Sequence, residues 1–277
     1  MTTPPGIVQR PWPGAFGADF QAQILSTIVE GAPFSRSCTP LPTQRTAVAF
    51  GILDAADPTW GGELDEVPDL AKDQSTYEVA VSRLSGSILV SQESITDADF
   101  PLTQQVSQVL TDTFSNKLDR DLLGGAGPHP TPTGILSVAA EVTAADWQLA
   151  AVAAKAAMAT AGGTASHIAL SPAVLGEIEA ARDDLGRQLY PDAATTFAGL
   201  TTVQAVGATQ PVCYDQARCW LVVRRDFSAD VSDQTSSAWE HYATSLRVVG
   251  RLALAVPQPS KAARKLAVSG AARAAKK

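Results

Sequence analysis

The chain has 277 residues, 45% of them hydrophobic, so it can bury a sizeable core as one elaborated domain or two small ones. No apolar run approaches the roughly 20 residues that cross a bilayer, and no signal-peptide pattern opens the chain, so we expect a soluble intracellular protein without a membrane partner. The formal charge of -7 is uneven, because residues 261–277 carry six basic residues and no acid, which leaves 15 basic against 28 acidic residues, or -13, elsewhere. Such an acidic body should not bind nucleic acid over a broad face.

The N-terminal residues are predicted to form an extended arm. Residues 1–16 are rich in proline and glycine, and proline fixes φ and removes a helix hydrogen-bond donor. In the stretch 20–30, Phe20, Ile24 and Ile28 lie on one helical stripe, which predicts a short amphipathic helix. We expect this helix to pack against a surface outside itself.

Residues 45–85 predict a long two-stranded excursion. Strand-favouring residues fill about 45–57 and 77–90, and an acidic, glycine-rich segment that contains Trp60 separates them. An isolated hairpin of this length is marginally stable in water, so it should lie on a neighbouring surface.

A long amphipathic helix is predicted to follow and to end near Leu123, with Asp97 and Asp99 as N-cap residues. Its apolar positions recur at every fourth residue, with Val109 alongside: Leu102, Val106, Leu110, Phe114, Leu118 and Leu122. The polar residues that lie off this stripe are Gln104, Gln105, Asp112, Lys117 and Asp119. At 1.5 Å per residue, about 24 residues form a rod of about 36 Å that braces a domain.

Segments that favour helices alternate with segments that favour strands after the glycine run 124–127. Thr143 is expected to cap an alanine-rich helix over 144–161, and Ser171 to cap a helix that ends near Asp184. The remaining segments favour strands: 167–170, 200–206, 220–225 and 246–256.

The sequence predicts no catalytic residue, no cofactor and no metal ligand. His129, His167 and His241 have no metal-ligand spacing, and neither a nucleophile elbow nor a phosphate-binding loop is present. The paired carboxylates lie in segments that we expect to be solvent-exposed: Glu63/Asp65/Glu66, Asp119/Asp121 and Asp183/Asp184. The chain should therefore not be an enzyme.

The three cysteines, Cys38, Cys213 and Cys219, form no CxxC pair and have no histidine nearby. We expect small buried thiols in a reducing compartment.

The order of these parts resembles the major capsid proteins of tailed bacteriophages, with the Hong Kong 97 fold, and this resemblance implies an α+β fold class. Trp60-Gly61-Gly62-Glu63, the stretch 77–84 and the stretch 88–97 are similar to the end of that family's hairpin and the strand that leads to its spine helix. The passage 118–127, followed by 132–136, is similar to the exit from the spine helix. The similarity covers roughly residues 17–257.

The resemblance implies the following division of the chain: an N-terminal arm with a short helix (1–44), an extended loop (45–85), a peripheral domain with the spine helix and return strands (86–128 and 232–260), an axial domain (129–231) and a basic tail (261–277). It also implies that arm and loop lie on neighbouring subunits. We expect the tail to be solvated; the alternative is a tail that contacts DNA or a scaffold.

The same resemblance implies the function and partners. Copies of the chain would assemble into hexamers and pentamers of an icosahedral head around double-stranded DNA, bound without sequence specificity. Further partners would be a scaffolding protein, a portal and a decoration protein, and the protein would be found in the virion after assembly in the host cytoplasm.

Two departures from the family pattern limit the resemblance. Many members begin with a charged helical segment that scaffolds assembly, whereas here the arm begins near Met1, so scaffolding comes from a separate protein or from a segment beyond this sequence. Some members crosslink a lysine to an asparagine of a neighbour. The only asparagine here, Asn116, lies in the spine helix, so we expect shells without covalent crosslinks.

Two alternatives stay open from the sequence. The first is an encapsulin-type shell that encloses cargo enzymes. The second is a soluble enzyme with a pocket at Trp239-Glu240-His241-Tyr242.

Overall fold

The computed structural model describes residues 28, 31–55, 60, 71–97, 102–127, 129–183 and 185–269. These residues form two compact units made of interleaved segments. Unit 1 contains the described residues within Met1–Gly31, Leu84–Ser115 and Asp226–Gly250, and unit 2 contains those within Ala32–Arg83, Asn116–Arg225 and Arg251–Lys277. The predicted arm 1–16 and most of the helix predicted over 20–30 lie outside the described residues, except that Ile28 is helical.

The described residues combine helices with strands, as the α+β prediction requires. The helices are α1 (Pro33–Ser37), α2 (Gln92–Asp97), α3 (Leu102–Gly124), α4 (Ile135–Val138), α5 (Trp147–Thr160), α6 (Pro172–Ala180), α7 (Ser236–Glu240) and α8 (Pro259–Ala262). The strands are β1 (Thr39–Pro42), β2 (Ala47–Ala55), β3 (Ala71–Ala80), β4 (Ser82–Ser91), β5 (Ala140–Ala144), β6 (His167–Leu170), β7 (Thr196–Phe197), β8 (Leu200–Gln204), β9 (Val212–Tyr214), β10 (Trp220–Ser232), β11 (Ala243–Ala255) and β12 (Ala263–Val268).

The long helix is confirmed as α3, with 23 residues. Its apolar stripe is buried at every predicted position whose side chain is described: Val106, Leu110, Phe114, Leu118 and Leu122. Val109, beside the stripe, is 56% exposed. Asp97 does not cap this helix, because it is the last residue of α2, and Asp99 lies outside the described residues.

Unit 1 has an aromatic pair in its core. The rings of Phe114 and Phe227 meet edge to face, with centroids 6.1 Å apart and planes at 87°. A Cβ at Gly250 would lie 2.6 Å from the Phe227 ring, and one at Gly86 would lie 3.1 Å from the Phe114 ring. Glycine at these two positions therefore lets the backbone reach the rings.

Unit 2 contains a six-stranded sheet with the order β5-β12-β9-β6-β8-β7. Helices α5 and α6 bury their inner faces with it in one core, whose largest members are Met158, Ile168, Ile178 and Phe197. The strand β12 pairs in parallel with β5 and antiparallel with β9.

The expected solvated tail from residue 261 onward is wrong for residues 261–269. Ala262, Ala263 and Leu266 are buried, and Leu266 belongs to the core of unit 2. The strand β12 lies between two partners, and its buried residues Ala263 and Leu266 are three positions apart, without the alternation of a half-buried strand. The residues from 270 onward lie outside the described part of the chain.

Helix starts in unit 2 follow capping chemistry. Asp146, and not Thr143, caps α5 by accepting the Leu149 N–H, because Thr143 is committed to strand β5. Ser171 caps α6 as predicted, and Pro172 is its first residue. This helix ends at Ala180, earlier than expected, because Ala181 is extended.

The other strand predictions hold with shifted ends. The segment 167–170 is β6 as predicted, and 200–206 is β8 over Leu200–Gln204. The strand predicted over 220–225 extends to Ser232, and the one over 246–256 begins at Ala243 and is followed by α8 and β12. Among the helices of the described residues, none combines the length and apolarity needed to span a membrane.

Candidate assembly surfaces

The hairpin expected within 45–85 is present as the antiparallel pair β2–β3, in register from Ala47 opposite Ala80 to Asp54 opposite Asp73. Its second strand was misplaced, because the stretch predicted over 77–90 covers only the end of β3 and most of the separate strand β4. Its inner face carries Val48, Phe50, Tyr77 and Val79, which pack with Trp220 and other residues of β1, β10 and β11. The Phe50 ring lies 6.3 Å from that of Trp220. The base of the hairpin, which these residues form, therefore packs within its own subunit. The expectation that the loop 45–85 lies on neighbouring subunits is wrong for these residues.

The opposite face of the hairpin is exposed. Ala49 and Gly51 on β2, and Thr76, Glu78 and Ala80 on β3, face solvent in the isolated chain. The acidic segment beyond the strands lies outside the described residues except for Trp60, which is fully exposed. A large aromatic side chain that is fully exposed in the isolated chain is typical of a residue that anchors in a partner.

Described residues in the C-terminal part of the arm (1–44) are bound to the long helix. Ile28 is fully buried in unit 1, and the Ser115 hydroxyl donates a hydrogen bond of 2.8 Å to the Ile28 carbonyl oxygen. In unit 2, the Asp119 carboxylate accepts the backbone N–H groups of Phe34 at 2.9 Å and Ser35 at 3.0 Å. Ile28 therefore packs within its own chain, contrary to the expectation of an outside partner; the other residues of the helix predicted over 20–30 lie outside the described residues.

The burial of Asp119 was not predicted from the sequence. It was grouped with Asp121 among exposed carboxylates, but its side chain is buried, whereas Asp121 forms a surface ion pair with Lys117. Burial raises the pKa of the Asp119 carboxyl, and the bonds from Phe34 and Ser35 oppose that rise. Asp119 sits at the first turn of α1, whose own N-cap residue, Ala32, cannot supply an acceptor.

A second exposed apolar surface lies on α5. Leu149 and Val152 are 53% and 50% exposed, and Ala156 and Ala159 continue the same outward face. The one charged residue of this helix, Lys155, donates to the Ala198 carbonyl oxygen at 2.8 Å. An exposed helix without charge on its outward face is unusual for a surface that stays in water.

The region proposed as an enzyme pocket is an exposed corner. Trp239 and Tyr242 are 81% and 63% exposed, and the Tyr242 carbonyl oxygen accepts the Gln92 N–H at 3.1 Å.

His167 is half-buried and stacks on Tyr214, and its Nδ1 lies 2.9 Å from the Ser166 hydroxyl. Within the described ranges, no group of three metal-ligating side chains comes together.

The cysteines are buried free thiols, as predicted. Burial raises the pKa of Cys213 and of Cys219 to about 12. These thiols are protonated at neutral pH and are poor nucleophiles while they stay buried.

The family model described as the phage capsid family matches residues 17–267. This match spans most of the chain. The chain belongs to the phage capsid family. No curated protein sequence matches it, so the remaining comparisons are with solved structures.

The phage capsid protein is similar in fold to several solved structures. The capsid of a native GTA particle is 14% identical with a TM-score of 0.69, and the alignment covers 87% of this chain and 91% of the other. A chain of Mycobacterium phage Bobi is 18% identical with a TM-score of 0.70 (88% and 90% covered), and one of Gordonia phage Cozz is 14% identical with a TM-score of 0.70 (86% and 87% covered). These likenesses confirm the capsid fold that the sequence suggested.

Family and fold together identify a major capsid protein of a phage head, which is a structural protein of the virion that forms shells with copies of itself. The family match favours this function over the encapsulin-type shell and the soluble enzyme. The candidates for contact between subunits are the exposed face of the hairpin with Trp60, the exposed face of α5, and the exposed residues Trp239 and Tyr242.

Proposed function

We propose that the capsid protein assembles into hexamers and pentamers of an icosahedral head that encloses double-stranded DNA. The observation that carries this proposal is the hairpin β2–β3: its base is fixed to its own subunit by Phe50 and Tyr77, while its outer face and Trp60 stay exposed. A hairpin whose base is fixed and whose outer face is exposed is suited to contact a neighbouring subunit.

We also propose a division of the chain into capsid domains. Residues 1–44 form the arm, 45–85 the extended loop, 86–128 and 232–260 the peripheral domain, and 129–231 the axial domain. The strand β12 joins the axial domain in this proposal, because its sheet partners are β5 and β9. The residues after Ser269 form the basic tail.

The DNA contact is proposed to be weak and without sequence specificity, because the body is strongly acidic and the clustered cations lie towards the C-terminus. A scaffolding protein, a portal and a decoration protein are proposed partners, and assembly is proposed to take place in the host cytoplasm. Purified particles should contain DNA; a protein cargo instead would indicate a nanocompartment.

Electron microscopy of the purified chain tests the assembly proposal, with rings and closed shells as the expected species. A variant in which a short glycine turn replaces residues 56–70 keeps both described strands and should remain a folded subunit that forms no shells. Trp60→Ala is the matched point variant. Shells formed normally by both variants would exclude the hairpin end as an assembly element, and circular dichroism checks that each subunit folds.

A further inference from the structure

Two of the three cysteines lie side by side at the end of a parallel strand pair. Strand β1 pairs with β10 from Thr39 opposite Trp220 to Pro42 opposite Val223, and the Thr39 N–H donates to the Cys219 carbonyl oxygen at 2.9 Å. Cys38 and Cys219 directly precede this first pair, and both have extended backbone. Continuing the register by one residue places Cys38 opposite Cys219.

This placement fits a covalent bond between the two sulfur atoms. Adjacent strands lie about 4.8 Å apart, and disulfides join residues whose Cα atoms are about 4.4–6.8 Å apart. Paired residues of neighbouring strands direct their side chains to the same face, and both cysteines are buried, with exposures of 3% and 0%. We propose that Cys38 and Cys219 form an intrachain disulfide under oxidising conditions, which fastens the C-terminal part of the arm to strand β10.

The chemistry requires an oxidant, for which a small-molecule disulfide suffices. The thiolate of one cysteine attacks this disulfide and releases one small thiol, and the second cysteine then attacks the protein sulfur and releases the other. Two cysteine thiols lose two electrons and two protons, one S–S bond forms in the protein and one breaks in the oxidant. The oxidant leaves as two thiols.

Burial sets the rate of this reaction. Desolvation, and secondarily the nearby Cys219, raise the pKa of the Cys38 thiol, so both thiols stay protonated while the strand pair is closed. Strand β1 has four residues, is at the edge of the sheet order β1-β10-β11-β4, and contains Pro40 and Pro42, which lack N–H donors. Local opening of this edge strand therefore exposes the thiols without unfolding the core.

The third cysteine provides an internal control. Cys213 lies within the six-stranded sheet, opposite Ile168 on one side and Arg264 on the other, so it faces no cysteine in either register. If the chain acts in a virion as proposed, the pair is reduced during assembly in the cell and closes in the released particle. The disulfide itself does not depend on shell formation, because both cysteines belong to one chain.

The test uses the purified full-length chain, reduced and then incubated with oxidised glutathione. Alkylation and intact mass should show that two of three thiols are lost, and peptide mapping should find the residue 38–219 crosslink, reversible by reductant. Cys213→Ser should form the same crosslink, and Cys38→Ser should not form it. The oxidised wild-type protein should unfold roughly 5–10 °C above the reduced protein, because a loop of about 180 residues is closed.

Three results would overturn the proposal: all three thiols remain alkylatable in the oxidised sample, the crosslink involves Cys213, or stable adducts with glutathione form in place of the crosslink. Oxidation of the same protein in denaturant, where all thiols are accessible, confirms that the reagent was active. Because wild-type protein carries the main measurement, a variant that fails to fold leaves the test intact.

Discussion

The carboxylate of Asp119 accepts the backbone N–H of Phe34 at 2.9 Å, and so a residue in the C-terminal third of the long helix α3 caps α1, whose Phe34 lies 85 residues earlier in the chain. The second oxygen accepts the N–H of Ser35 at 3.0 Å. These N–H groups are at the second and third positions of α1, where a capping side chain usually bonds, and Ala32 has no side-chain acceptor. Asp119 thereby fixes the C-terminal part of the arm, which contains Phe34 and Ser35.

Replacing Asp119 should destabilise the subunit. Asp119→Ala leaves two buried N–H groups without an acceptor, which should lower the free energy of unfolding by about 1–3 kcal/mol. Asp112→Ala, on the exposed side of the same helix, is the matched control and should change it by less than about 0.5 kcal/mol. Urea unfolding measures both, and equal effects would show that the capping bonds contribute nothing.

The stability contribution of Asp119 should depend on pH. Burial raises the pKa of this carboxyl, so the folded chain holds the proton more tightly than the unfolded chain. Folding then takes up a proton in the window between the ordinary aspartate pKa, near 4, and the raised folded value. The free energy of unfolding of wild-type protein, relative to Asp119→Asn, should rise as pH falls through this window and decline as pH rises through the folded pKa. A difference that shrinks on acidification would mean that the two backbone bonds outweigh burial.

The C-terminal strand should be essential to unit 2, whereas the residues beyond it should not. A chain that ends after Ser269 keeps β12 and should unfold at the wild-type temperature. A chain that ends after Gln258 removes β12 from between β5 and β9 and removes the buried Leu266 side chain, so cooperative unfolding should be lost. Circular dichroism during heating compares the two chains. A cooperative transition in the shorter chain would show that unit 2 folds without β12.

Periodic elements could be predicted from the sequence because their signal is local. The four-residue repeat from Val106 to Leu122 identified the long helix, and the alternating residues on both sides of Trp60 identified the hairpin. The Hong Kong 97-type order of the elements then identified the fold.

Two features could not be predicted because their causes lie far away in the chain. Asp119 is buried only because Phe34 and Ser35 pack against its helix, and no local pattern distinguishes it from Asp121. Strand β12 resembles a solvated tail in composition, and its burial depends on two strands that precede it by many residues. The buried residues Ala263 and Leu266 are three positions apart, so they lack the alternation that would have predicted a strand.

The exposed face of α5 should contribute to assembly. Val152→Asp places a charge at a position that is 50% exposed in the isolated subunit, so folding should be unaffected while a contact with a neighbouring subunit would lose about 2 kcal/mol or more. Val152→Ala, which adds no charge, is the matched control. Sedimentation should show subunits for the first variant and shells for the second. Normal shells from Val152→Asp would exclude this face from the contacts between subunits.

Mature shells should contain no covalent bonds between subunits. An isopeptide crosslink of the lysine–asparagine type needs an asparagine at a subunit junction, and the only one, Asn116, lies on α3, where it faces away from the buried stripe. The adjacent Lys117 is engaged with Asp121 at 2.9 Å, Lys155 with the Ala198 carbonyl oxygen, and Lys265 lies 3.8 Å from Glu141. Cohesion must then come from buried apolar area and from the interlocked hairpin. Particles boiled in detergent with reductant should give one band near 28.9 kDa, and boiling without reductant should change its mobility at most slightly, since the proposed disulfide is intrachain. A ladder from dimer to hexamer in reductant would refute this prediction, and mass spectrometry of the ladder would then identify the crosslinked residues.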